Sequence, residues 1–251
     1  NSGNVIHNNN IFDYFHPGAT SAGIAVNAGC NTWSITNNRF YQTAPRTWTS
    51  GALHTPIIIA GNTAVSGAQG FTVTGNVIGF ASSAETGTYT LTGTGAKFVG
   101  ILYNGVSGSA STDISGNTIG DNVGIVAVGV SDTSVHDNEL LGDVGVVAGA
   151  TDPTEVGLTI SDNTFGAAGT DTEGVGIVVI GGGVEIDGNT FESRTAAVLG
   201  VAVAEGSPFT VEDNTASDEV YVLESEVATS AAQATLDVLA ASGWGGKSYT
   251  G

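Results

Sequence analysis

Methionine is absent from the 251 residues, cysteine occurs once, and lysine and arginine together number five. A single thiol, Cys30, excludes an intrachain disulfide, so no covalent staple holds the fold. Zinc is unexpected as well, because His7, His16, His54 and His136 show no short paired spacing with each other or with Cys30. No apolar run approaches the ~18 residues of a membrane-spanning helix. No signal peptide precedes Asn1, which falls inside what reads as a repeat, so the expectation is a mature or trimmed piece of something longer.

The shortage of bases leaves a net charge of −19, and it is unevenly spread. Residues 1–110 hold two acids (Asp13, Glu85) against Arg39, Arg46 and Lys97, a net of +1. Residues 111–251 hold 22 acids against Arg194 and Lys247, a net of −20. Such a field repels phosphate backbones and anionic lipid, which argues against nucleic-acid partners and membrane insertion. Acids scattered singly, with almost no lysine, read as the solvated surface of a protein from a high-salt environment. Specific cation sites, with calcium as the ion, are the sharper alternative. No other cofactor is expected.

What the chain does have is glycine, at 38 positions, and a hydrophobic fraction of 41%, enough for a packed interior. It also has a repeat, and the repeat carries the argument. Trp33-Ser-Ile35-Thr-Asn-Asn38-Arg-Phe40 shows the skeleton apolar-x-apolar-x-x-Asn-x-apolar, which returns as Phe71-Thr-Val73-Thr-Gly-Asn76-Val-Ile78. It returns again around Asn117, Asn138, Asn163, Asn189 and Asn214, and in degraded form at Asn10. The intervals are 28, 38, 41, 21, 25, 26 and 25 residues, the first three lengthened by insertions.

After each anchor comes a second apolar stretch bounded by glycine, such as Gly124–Val128 or Val175–Ile180. One repeat therefore holds at least two short strands with turns after them. At ~3.3 Å per residue, 25 residues trace roughly 80 Å, which suits one three-sided coil of a solenoid and is too long for a hairpin pair. Eight coils stacked at ~4.8 Å make a rod of roughly 40 Å. The anchor sits where the chain turns a corner, and asparagine tolerates a left-handed backbone there. The residues before it (Asn9, Asn37, Gly75, Gly116, Asp137, Asp162, Gly188 and Asp213) are all turn formers. Stacked once per coil, the amides of Asn38, Asn76, Asn117, Asn138, Asn163, Asn189 and Asn214 are expected to bond above and below as a ladder.

On these residues the sequence resembles the right-handed parallel β-helix superfamily, which includes pectate lyases, polygalacturonases, alginate epimerases and many uncharacterised repeat proteins. The resemblance covers residues 1 to about 225 and implies an all-β solenoid of about eight coils. Asn31–Phe40, Gly51–His54 and Gly87–Thr92 also look like segments of large secreted bacterial surface proteins. The expected division is a β-helix over 1–226 and a capping tail over 227–251. Within that tail Thr229–Ser242 reads as a short helix, with Thr229 or Ser230 as N-cap and Gly243 past its end.

The enzymes that this resemblance brings in need machinery that is hard to find here. Lyases of the superfamily use an arginine or lysine beside calcium-binding carboxylates. Arg39, Arg46 and Arg194 stand beside no acidic cluster in the sequence. The polygalacturonase pattern needs several aspartates and a Gly-His-Gly, and the latter is missing. Asp137 and Asp162 fall in equivalent slots one coil apart, so their carboxylates fit the ~5 Å spacing of a retaining glycosidase. Turn geometry explains them more simply, because glycine and asparagine fill that slot elsewhere. No catalytic residue is assigned.

The insertion Tyr41–Thr55 is the best binding candidate, since loops on a rigid scaffold carry recognition. Its Trp48 can stack on a sugar ring, and Arg46 and His54 can bond hydroxyls or carboxylates. The competing reading is a loop folded back onto the rod as a staple. The second insertion, Ala81–Lys97, reads as an extra hairpin. His7 is expected in the core or the end coil, in a slot that Ile35 or Val73 fills elsewhere.

The reading that follows is a secreted or cell-surface structural module, adhesin-like, with glycans or neighbouring copies of itself as partners. A polysaccharide-active enzyme (lyase, hydrolase or epimerase) on acidic glycans, and a fibre or filament subunit, are the alternatives. The 22 carboxylates of the second half repel each other, and salt screens them. The melting temperature is expected to rise steeply from dilute buffer to ~1 M KCl. A value flat in KCl but raised by micromolar calcium would shift the explanation to specific cation sites.

Overall fold

The computed structural model describes residues 1–27, 29–47, 53–60, 70–87, 91–92, 97–104, 110–120, 123–142, 144–166, 175–192, 196–201, 207–216 and 222–223. Every regular element among them is a strand. Three eight-stranded sheets, each all-parallel, run the length of the described chain. Each coil gives one strand to each sheet, so the fold is a parallel β-solenoid of eight coils. The helix and cap expected over 227–251 lie outside the described residues.

The first sheet contains the segments ahead of the anchors, from Val5–His7 through Ser34–Thr36, Leu158–Ser161 and Val184–Asp187 to Phe209–Glu212. The second contains the short segments after them, among them Arg39–Tyr41, Thr164–Phe165 and Thr190–Phe191. The third contains the long apolar runs, including Leu53–Ala60, Lys97–Asn104, Val123–Val130 and Val144–Ala150. The sequence indicated at least two strands per repeat. The one in the second sheet is only two to four residues long, too short to show its own periodicity.

Register is strict. Ile6, Ile35, Val73, Ile114, Val135, Ile160, Ile186 and Val211 pair in succession along the first sheet and form one inward column. In the second sheet Phe165 stacks on Phe191 with centroids 4.7 Å apart and planes at 7°. Room for these rings comes from the third sheet. A Cβ on Gly145 would run into the Phe165 ring and the Gly176 carbonyl oxygen, and one on Gly176 would run into Phe191. Glycine here is a packing requirement between two faces.

The anchor asparagines form the expected ladder, and every bond runs the same way. The backbone N–H and the Nδ2 of Asn38 both donate to Asn76 Oδ1, at 3.0 and 3.1 Å. Asn76 does the same to Asn117, Asn117 to Asn138, Asn138 to Asn163, Asn163 to Asn189 and Asn189 to Asn214, all at 2.8–3.0 Å. Each Nδ2 from Asn38 to Asn214 also donates to a carbonyl of the preceding coil, as Asn163 does to Val135 O at 2.9 Å. Asn38 through Asn189 are buried and Asn214 is half-buried.

Several expectations need correction. The anchor of the first coil is Asn9, not Asn10: Asn9 donates twice to Asn38 Oδ1, and Asn10 pairs with Arg39. In that register Ile6 aligns with Ile35, whereas His7 aligns with Thr36 and is exposed in the end coil, bonded to Thr36 Oγ1. The left-handed residue at each corner is the one before the anchor: Asn8, Asn37, Gly75, Gly116, Asp137, Asp162, Gly188 and Asp213 have φ between 49° and 64°. That twist turns the anchor's side chain inward. Among the described residues the second insertion closes a turn from Ala81 to Gly87 but forms no strand pair with itself; its strand Leu91–Thr92 lies parallel to Arg46–Thr47 of the first insertion. Both insertions leave their coils at the same corner, after Tyr41 and after Phe80, so they stack in the same direction as the coils.

Replacing Asn163 with leucine would strand the backbone N–H of Asn138, take one acceptor from its Nδ2, and leave Val135 O and Ser161 O without this partner. The expected loss in urea unfolding is on the order of 1–3 kcal/mol per stranded group. Asn9→Leu, in an exposed end coil, should cost much less.

Candidate functional site

The residues with chemistry lie in three places. On the outer face of the first sheet, His136 sits between two carboxylates, with Nε2 3.1 Å from Asp113 Oδ1 and Nδ1 2.8 Å from Asp137 Oδ2. Asp113 belongs to the strand Thr112–Ser115 and His136 to Thr133–His136, which pair side by side. Both imidazole nitrogens face acids, so neither is directed at a serine or a water as a general base would be. Asp137 and Asp162 occupy the left-handed corner slots, and their backbone N–H groups donate to Ser161 O and Asp187 O of the following coils. Turn geometry accounts for both. Among the described residues no group of three or more His, Cys, Asp or Glu side chains is arranged to hold a metal ion.

At the first insertion, Arg46 Nη2 meets Asp13 Oδ1 at 2.8 Å. The Thr43 backbone N–H and hydroxyl donate to the same carboxylate, at 3.0 and 2.7 Å. The Thr43 N–H above all, then its hydroxyl and the Arg46 charge, outweigh partial desolvation and hold the Asp13 carboxyl below its ordinary range. Arg39 likewise donates from Nη1 to Ser83 O at 2.8 Å and Glu85 Oε1 at 2.7 Å. Each arginine ties an inserted or neighbouring segment to the rod. These pairs are largely exposed, so each adds little stability.

His54, expected beside Arg46 in the loop, is placed in the third sheet and is fully buried. The strand begins at Leu53, so His54 stands in register with Ser21 and Phe98. Its ring stacks on Tyr14 (5.1 Å, 12°) and meets the rings of Phe15 and Phe98 near 60°. The structure does not bring Arg46 and His54 to one surface. Trp48 lies outside the described residues. The outer face of the third sheet is apolar and carries no catalytic motif in its described residues. Its signal was present in runs such as Val175–Ile180, which are apolar without alternation.

No family model, curated protein or solved structure matches this chain.

Burial holds His54 well below its usual value, at about 4. Between that value and the ordinary imidazole range the unfolded chain binds a proton that the folded chain refuses. The native state therefore loses stability as pH falls through this window, and the effect is absent above it. The loss attributable to His54 is up to about 3 kcal/mol by pH 4. Denaturant titrations from pH 7 to 4 should show it, and His54→Phe should flatten the slope relative to the parent chain.

Proposed function

We propose that this protein is a non-catalytic member of the parallel β-helix superfamily, a secreted or cell-surface rod that serves as an adhesin-like stalk or filament segment. The observation that carries this reading is the unbroken asparagine ladder from Asn9 to Asn214. It commits one amide in every coil, buried in the six inner ones, to axial rigidity, the property a spacer needs. The carboxylates best placed by sequence for glycoside chemistry already hold corner positions. The arginines Arg39 and Arg46 already tether segments to the rod. An acidic, high-salt surface on the second half suits an extracellular setting.

The test is incubation with pectin, alginate and other uronates, following unsaturated-product absorbance and reducing ends. No turnover is expected. Turnover abolished by Asp137→Asn or Asp162→Asn would replace this reading with that of a polysaccharide-active enzyme. Binding without turnover that is lost in Trp48→Ala would add glycan contact at the first insertion to the structural role.

A further inference from the structure

The two long outer faces of the rod are built differently. On the first sheet the registered outward column reads Thr72, Asp113, Ser134, Thr159, Glu185, Thr210, the composition of a surface facing water. On the third sheet the equivalent column reads Ile58, Leu102, Val126, Val147, Val178, Leu199. These six alternate with buried residues such as Ile57, Ile125 and Val146 and are themselves half-buried. Ile180 beside them is 42% exposed. Val123, Val144 and Val175 form a second half-buried outward column.

Charge is distributed in the same sense. Lys97 is the one charged residue in the eight strands of the third sheet, and none of them carries an acid. In a chain of net charge −19 this is where a like-charged body can approach most closely. The footprint is also sufficient. Seven inter-strand steps of ~4.8 Å by strands of ~20 Å give roughly 700 Å², close to the ~800 Å² per partner of a standard stable interface. A parallel sheet apolar on both faces is normally covered on both.

We propose that the outer face of the third sheet is a self-association surface, on which a second copy of this chain packs face to face about a two-fold axis. The axis passes near the middle of the face, between the strands Val123–Val130 and Val144–Ala150, the central pair of the eight. Val126 of each copy then lies against Val147 of the other, as an isologous contact requires. The inference is independent of whether the rod acts on a polysaccharide.

Sedimentation velocity on the full chain, over a ~100-fold concentration range, reads the association directly. A monomer–dimer equilibrium is expected, and it should tighten from dilute buffer to ~0.5 M KCl because salt screens the repulsion between two acidic bodies. Val147→Glu with Val178→Glu should weaken the dimer at least ~100-fold, because it buries unpaired like charges. Val147→Ser, which adds no charge, should weaken it less while keeping the parent circular dichroism spectrum. Thr159→Glu on the first sheet should leave it unchanged. A monomer at every concentration would overturn the proposal and leave residues 224–251 of the same chain, or a different protein, as the cover. A dimer indifferent to the Val147 variants, or one loosened by salt, would overturn it too.

Discussion

A buried primary amide brings one acceptor and two donors into an apolar interior, where each unmet group is costly. This chain does so six times, from Asn38 to Asn189, and it is tolerable only because the coils repeat at the spacing a hydrogen bond can span. Each Oδ1 takes two donors from the coil before, and each Nδ2 is spent on the coil after and on a carbonyl behind. Shifting one coil by a residue would break the bonds on both sides of it. The ladder therefore fixes the corner between the first and second sheets, and the third sheet takes its register from that corner.

The consequences show in what varies and what does not. Successive anchors are separated by as many as 41 residues and as few as 21, yet their bonds stay within 2.8–3.1 Å. Insertions are accommodated because both begin after a second-sheet strand, Arg39–Tyr41 and Val77–Phe80, downstream of the anchored corner. The interior has no such freedom. Phe165 and Phe191 fill the cross-section beside the ladder, and the opposing third-sheet positions Gly145 and Gly176 are reduced to backbone. Large side chains on one wall are matched by their absence on another, which keeps the coils level.

Much of this was legible in the sequence. The anchors from Asn38 to Asn214 stood out because a polar residue that must be inward recurs between apolar ones. The first coil was misregistered by one because Asn8, Asn9 and Asn10 are identical, so only the inward positions Ile6 and Ile11 identify the anchor. The left-handed residue was assigned to the anchor when its predecessor carries it, since both are turn-forming types and φ leaves no direct mark in a sequence. His54 was expected in a loop because Gly51 just before it and Pro56 just after it are turn formers, whereas the strand starts at Leu53 and runs through the proline. Its burial follows from aromatic rings at Tyr14, Phe15 and Phe98 that come from other coils, so no local window contained the information.

A solenoid divides the labour between its two surfaces. Inward positions are consumed by winding, and in this chain they carry the one strongly conservative pattern in the sequence, the ladder and the aliphatic columns around it. Outward positions contribute little to winding, so their composition reports what each face meets. Successive coils supply Val147 to the third sheet's outer column and Thr159 to the first sheet's, with equal backbone roles and opposite surface chemistry. Propensity for the strand does not explain the difference, because threonine and valine both favour extended backbone. Solvent does. A threonine column keeps hydroxyls in water, whereas a valine column exposes methyl groups at a free-energy cost that falls once another apolar surface covers them.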